Sequence, residues 1–156
     1  MDTSASKQER HEKTRHEKVA SEKVAHEFVN KMPKQTKIAV LFGAVYLCLG
    51  IILGAFAAHG LKASLNEYQM AVLQTGVKYQ LIHGLALIVL GLLYSIYRKR
   101  LFYIASICII MGVFLFSFSL YAIALLSLSG LGLVTPIGGV FMIVAWLITM
   151  YAVVKD

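Results

Sequence analysis

From Leu101 to Val154 the chain carries no Asp, Glu, Lys, Arg or His. A soluble domain charges about a quarter of its residues, so a run of this length has no place on a watery surface. It is also too long for a single crossing, because a hydrocarbon core of about 30 Å is spanned by about 20 helical residues at 1.5 Å each. The run must therefore turn back on itself inside a membrane, and the turn falls at "SLSGLGLVT", Ser127 to Thr135. Only helices or closed barrels satisfy backbone groups in lipid, and apolar runs of this length are helical in character.

The rest of the chain follows the same logic. Of its twenty-three Asp, Glu, Lys and Arg residues, fifteen precede Ile38. Residues 1–37 thus form a charged tail, helical or disordered, and residues 38–156 form a membrane domain with spans at about 38–58, 79–97, 101–126 and 136–154. The fold class expected is all-α: a polytopic membrane protein built as a four-transmembrane-helix bundle. His83 is the only ionisable side chain inside these spans apart from Tyr and Cys.

Lysine and arginine in short connections are retained on the cytoplasmic side. Nine lie in the tail, three at Arg98-Lys99-Arg100 and one at Lys155, against only Lys62 and Lys78 in the first loop and none in the last. Both termini are expected in the cytoplasm, in a cell inner (plasma) membrane. The small-x-small pattern in "AFAAHG" is not read as a signal cleavage site, since the polar stretch before it is too long for an n-region and the span exceeds an h-region of roughly 7–15 residues. Six acids in the tail argue against a mitochondrial transit peptide. Retention of the whole chain is expected.

The tail holds a loose five-residue repeat, His11-Glu12-Lys13, His16-Glu17-Lys18, Ser21-Glu22-Lys23 and His26-Glu27. Five residues advance a helix by about 500°, so the histidines do not share a face and the i, i+4 pairing of zinc helices is absent. The reading is a solvated helix supported by pairs such as Glu9–Lys13 and Glu27–Lys31, ended by Pro33. Ala20, Val24 and Phe28, with Ala25 and Val29 beside them, make a narrow apolar stripe. Cys48 and Cys108 fall mid-span and are read as packing residues; no metal site and no cofactor is expected.

Polar residues gather at one end of the spans. His59 closes the first, with Gly60 placed for a left-handed cap. "SLNE", Ser64 to Glu67, reads as a capping box opening a short amphipathic helix before Gly76. Thr75, Tyr79 and His83 repeat at i, i+4, with Gln80 three before His83. Ser117, Ser119 and Tyr121 stand at the corresponding end of the third span, and Thr135 and Pro136 suit the start of the fourth. His59, Tyr79, Gln80, His83, Ser117 and Tyr121 are thus predicted to form one interhelical polar cluster in the outer leaflet, because lipid cannot satisfy such groups. The cluster has two readings, structural hydrogen bonding or a site for a ligand or ion. Gly50 and Gly54, and Gly138 and Gly139, permit close helix packing within the chain or between copies.

These motifs, "GAFAAHGLK" (Gly54 to Lys62), "YQLIHGLAL" (Tyr79 to Leu87), "LFSFSLY" (Leu115 to Tyr121) and "TPIGG" (Thr135 to Gly139), resemble the four-span family catalogued as domain-of-unknown-function family 423, which includes animal transmembrane protein 256. The resemblance covers about residues 38 to 154. Ala57 and Phe118 stand where the family pattern implies glycines, so a large ring at Phe118 would displace a neighbour or fill a cleft. The resemblance implies no activity.

No carboxylate lies inside the spans and no serine sits in a nucleophile elbow, so the chain is not expected to be an enzyme. Bis-histidine haem ligation by His59 and His83 is the one concrete redox reading, and a helix-end role for His59 is simpler. The expected function is a non-catalytic accessory, assembly or structural subunit of a membrane complex. Its partners are the lipid bilayer and other membrane proteins or a second copy, with no nucleic acid. The alternative is binding or transport of a small ligand or proton through the polar pocket.

Overall fold

The structure, a computed structural model, describes residues 3–155, and the side chains of all of these except 3–9, 25, 26 and 28–30. Among the described residues there is no strand. The helices are α1 (Thr3–Lys31), α2 (Lys34–His59), α3 (Glu67–Tyr97), α4 (Arg100–Leu126) and α5 (Val134–Val154), with a 3₁₀ turn at Ser129–Leu133 before α5. The chain divides into two units, residues 1–33 and 34–156. The second holds four helices long and apolar enough to cross a membrane.

In the first unit α1 stops at Lys31, two residues before Pro33, whose ring disfavours helical geometry in the residue ahead of it. The one ion pair among the described residues is Lys31 to Glu27 at 2.6 Å, one turn apart and exposed at both ends, worth a few tenths of a kcal/mol. Ala20 and Val24 are exposed. The other members of the predicted stripe, Ala25, Phe28 and Val29, have side chains outside the described residues, as has Glu9 of the predicted Glu9–Lys13 pair.

In the second unit α2 begins at Lys34, ahead of the apolar run. Its first turn is anchored by Thr36, fully buried, whose hydroxyl donates to Gly91 O on α3 at 3.0 Å. The helix ends at His59 differently from the sequence reading: Gly60 has no positive φ, and the N–H groups of Gly60 and Leu61 both donate to Phe56 O, at 2.8 and 2.9 Å. No left-handed residue is needed, because one carbonyl takes both donors.

The start of α3 also departs from expectation. The capping box is Asn66 with Gln69, not Ser64 with Glu67: Asn66 Oδ1 accepts from Gln69 N at 2.8 Å, and Gln69 Oε1 accepts from Asn66 N at 3.1 Å. Asparagine is among the best N-cap residues, and its amide partner completes the reciprocal pair. From there α3 runs unbroken through Gly76 to Tyr97, so no separate amphipathic helix precedes the span. Gly76 is a packing glycine; a Cβ there would lie 2.6 Å from Tyr121 Cε1 on α4.

The helices pack in sequence order, α2 on α3, α3 on α4 and α4 on α5, while α2 only grazes α4 and does not meet α5. The central pair α3–α4 therefore supplies most of the core, including Leu87, Leu90, Ile109 and Val113. Lipid tails are as apolar as leucine, so close backbone approach rather than water exclusion must hold such helices together. Two crossings show it. A Cβ on Gly43 of α2 would meet Gly84 O of α3 at 2.6 Å, and one on Gly138 of α5 would meet Gly112 O of α4 at 2.7 Å and run into Phe116 N.

Candidate functional site

Gln80 is the centre of the predicted cluster. Fully buried on α3, its Nε2 donates to Tyr46 O of α2 at 2.8 Å and its Oε1 accepts from Tyr121 Oη of α4 at 2.9 Å. One amide thus joins three helices, and only one orientation works, since the reverse would set its oxygen against the Tyr46 carbonyl. Tyr46 Oη in turn donates to Ile110 O on α4 at 2.8 Å. One turn back along α3, Ser117 Oγ donates to Gly76 O at 2.9 Å.

His83, 6% exposed, is bonded on both ring nitrogens. Its Nδ1 stands 2.9 Å from Tyr79 O, which can only accept, so Nδ1 carries the proton; Nε2 then accepts from Trp146 Nε1 of α5 at 3.3 Å. Neither nitrogen keeps a free lone pair for a metal. Tyr79 stacks over the imidazole with ring centres 5.9 Å apart and rests against Phe116 at 4.7 Å. Tyr79 is partly exposed, and among the described residues its hydroxyl has no partner.

One member, His59, falls elsewhere, and Thr135 departs from its predicted capping role. His59 is exposed at the end of α2 and bonds to nothing described, because the loop turns away on Phe56 O and leaves it outside the helix contacts. Thr135 is not an N-cap: its hydroxyl lies 2.7 Å from Ser119 Oγ, tying α5 to α4, and Leu133 opens the helix with no side-chain cap. Thr75 bonds back to Ala71 O within α3.

Because α3 starts at Glu67, His83 lies about 24 Å from one end of the helix and about 21 Å from the other. Tyr46, the acceptor for Gln80, sits midway along α2. The polar contacts run from Ser119–Thr135 through Ser117 to Gln80 and His83, well inside the ends of α3. Thr36 to Gly91 adds a bond towards the opposite end.

No buried side-chain nitrogen or oxygen among the described residues lacks a partner. Sequence reasoning missed three contributors, Tyr46, Trp146 and Thr36. The first two carried a signal: Tyr46 stands alone in polarity among the aliphatics of its span, and Trp146 is the chain's single tryptophan.

The glycines divide by contact. Gly50 faces α3 within the chain, where a Cβ would strike Leu81 Cδ2 at 2.7 Å; Gly54 and Gly139 have ordinary room, at 3.5 Å from Val77 and 3.9 Å from Phe116. Phe118 fills no cleft, being 39% exposed beside Phe114 and Tyr121. Ala57 is buried. Cys48 is exposed on α2 and Cys108 half-buried on α4, both as free thiols, so only Cys108 packs inside the protein.

The family described as protein of unknown function (DUF423) matches residues 53–139. Relatives align over most of both chains. A membrane protein of Staphylococcus epidermidis is 36% identical over 119 residues, 76% of this chain and 97% of its own. Membrane protein YwdK of Bacillus subtilis is 36% identical over 124 residues, 76% and 98% of the two chains. Inner membrane protein YgdD of Escherichia coli K12 is 34% identical over 122 residues, 77% and 92% of the two chains. No solved structure matches. With the family pattern across its central residues and relatives matched almost end to end, the chain belongs to the DUF423 family of integral membrane proteins.

Proposed function

We propose that the protein is a non-catalytic accessory or assembly component of a larger membrane complex, and not an enzyme. One observation carries this: among the described residues every buried side-chain nitrogen and oxygen has a partner, so the cluster that could have been a ligand site is taken up in joining helices. What the chain offers outward is apolar helix surface, on α5 through exposed Ile143, Leu147 and Met150 and on α2 through Leu41, Ile51 and Phe56. A photo-crosslinking residue at Ile143 in living cells should give a discrete heavier band, from another membrane protein or a second copy. Crosslinks to lipid alone, together with an isolated monomer after mild-detergent purification, would refute the proposal.

The proposed setting is the cell inner (plasma) membrane with both termini cytoplasmic, on the placement of Lys and Arg and on the name of the Escherichia coli relative. Cysteine at Asn66 should react with an impermeant maleimide in intact cells and cysteine at Lys99 should not; the opposite pattern would invert the orientation. A second reading, passage of a proton or small ligand, is favoured by a single feature, an imidazole midway along a membrane helix. Proteoliposome flux above that of empty vesicles, lost in His83→Gln, would establish it over the first.

A further inference from the structure

The two-residue turn between α3 and α4 lies beside a cleft of about 520 Å³, lined by Leu93, Tyr97, Lys99, Phe102, Ala152 and Val153. Its walls are mostly apolar, Lys99 is part of its lining, and the exposed Arg98 and Arg100 flank Lys99 in the chain. We propose that this cleft holds an acyl chain of one anionic phospholipid, with the lipid phosphate held by Arg98 and Arg100.

Charge is the first argument. Between Ile38 and Lys155 the only acid is Glu67, at the far end of α3, and among the described residues neither arginine meets a carboxylate. Arg98, Lys99, Arg100 and Lys155 against Asp156 leave a surplus of cations where the helices end. The charge of Lys99 is not cancelled either. Its ammonium donates to two neutral carbonyls, Ala152 O at 3.1 Å and Lys155 O, which pins the end of α5 to the turn and leaves a third N–H to offer.

Backbone geometry is the second. Arg98 closes α3 at φ 55°, ψ 16°, in the left-handed region where glycine is the usual residue. A guanidinium is kept there against that preference. Arg100 opens α4, whose first turn contains no acid and whose N-cap Lys99 makes no side-chain cap. A cation is unfavourable beside the positive end of a helix dipole unless an anion lies with it, and paired guanidinium forks match phosphate oxygens.

The cleft decides which anion. Tyr97 and Val153 at its mouth are well exposed, at 59% and 64%, and they stand where apolar helices give way to charge. A soluble phosphate would leave that apolar surface uncovered, whereas a phospholipid covers it while its headgroup meets the arginines, as basic pockets between membrane helices do.

The test is native mass spectrometry of the full chain in mild detergent with phosphatidylglycerol or phosphatidylcholine added. Phosphatidylglycerol should be retained at one per chain, about tenfold or more over phosphatidylcholine, and Arg98→Gln with Arg100→Gln should bring it down to the phosphatidylcholine level. Val153→Trp, blocking the mouth from an exposed position, should weaken both lipids. Arg98→Gly guards against loss of fold, since glycine suits φ 55°: its melting temperature without lipid should not fall, yet phosphatidylglycerol should bind more weakly. Equal retention of the two lipids, a preference that survives the arginine changes, no effect of Val153→Trp, or displacement by millimolar inorganic phosphate would each overturn the proposal.

Discussion

Replacing Gln80 by leucine keeps the side-chain volume and removes both of its interhelical bonds, to Tyr46 O and from Tyr121 Oη. Hydrogen bonds between membrane helices are worth about 0.6 kcal/mol on average and about 1.7 at most. The pair thus contributes about 1–3 kcal/mol. The two ends do not suffer equally. Tyr46 O is a helix-interior carbonyl and keeps its backbone donor, but Tyr121 is 7% exposed and its hydroxyl is left with no acceptor, which pushes the loss towards the upper figure. Tyr121→Phe strands Gln80 Oε1 instead, for about 1 kcal/mol. Together the substitutions leave nothing stranded at that bond, so the double variant should be less destabilised than the sum of the singles by about 0.5–1.5 kcal/mol. Reversible unfolding in mixed micelles, by titration of a denaturing detergent, measures all three differences. Additive losses, or a Gln80→Leu variant as stable as the parent, would refute the three-helix junction.

Two further outcomes separate neighbouring residues. Gly138→Ala should cost about 1–3 kcal/mol, because the new methyl meets backbone of α4 that cannot move aside, whereas Gly139→Ala, with open space, should be neutral; the same micelle titration distinguishes them, and equal effects would place the α4–α5 contact elsewhere. His83→Gln should retain a bond to Trp146 and most of the stability, while His83→Leu strands the indole N–H and should shift tryptophan emission; unchanged emission in both would remove Trp146 from the site.

The spans were legible because hydropathy and helix length are tied by bilayer thickness, and Gln80 with His83 was legible because polar groups in lipid must find partners. What the pattern could not give was the full length of α3. The stretch after Glu67 reads as a short amphipathic helix that ends before Gly76, and only the fold reveals that Gly76 makes room for Tyr121 and that the helix continues. That continuation places His83 about midway along α3. His59 was expected in the cluster from its place at the end of its span, and it is exposed there instead, beside the turn that Gly60 and Leu61 make onto Phe56 O. The partners Tyr46 and Trp146 lie 34 and 63 residues from Gln80 and His83, and no local spacing links residues so far apart.

The order in which the helices pack has a consequence for how the chain is made. Since α2 touches α3 and hardly anything else, the first hairpin can close while the ribosome is still producing α4, and in that hairpin Gln80 already has Tyr46 O for its N–H. Its oxygen has no protein partner until Tyr121 arrives, 41 residues later, an interval of about 2–8 s at translation rates of roughly 5–20 residues per second. During those seconds a buried amide oxygen between the helices is unsatisfied, and the newborn hairpin is open to any membrane component that can lend it a donor.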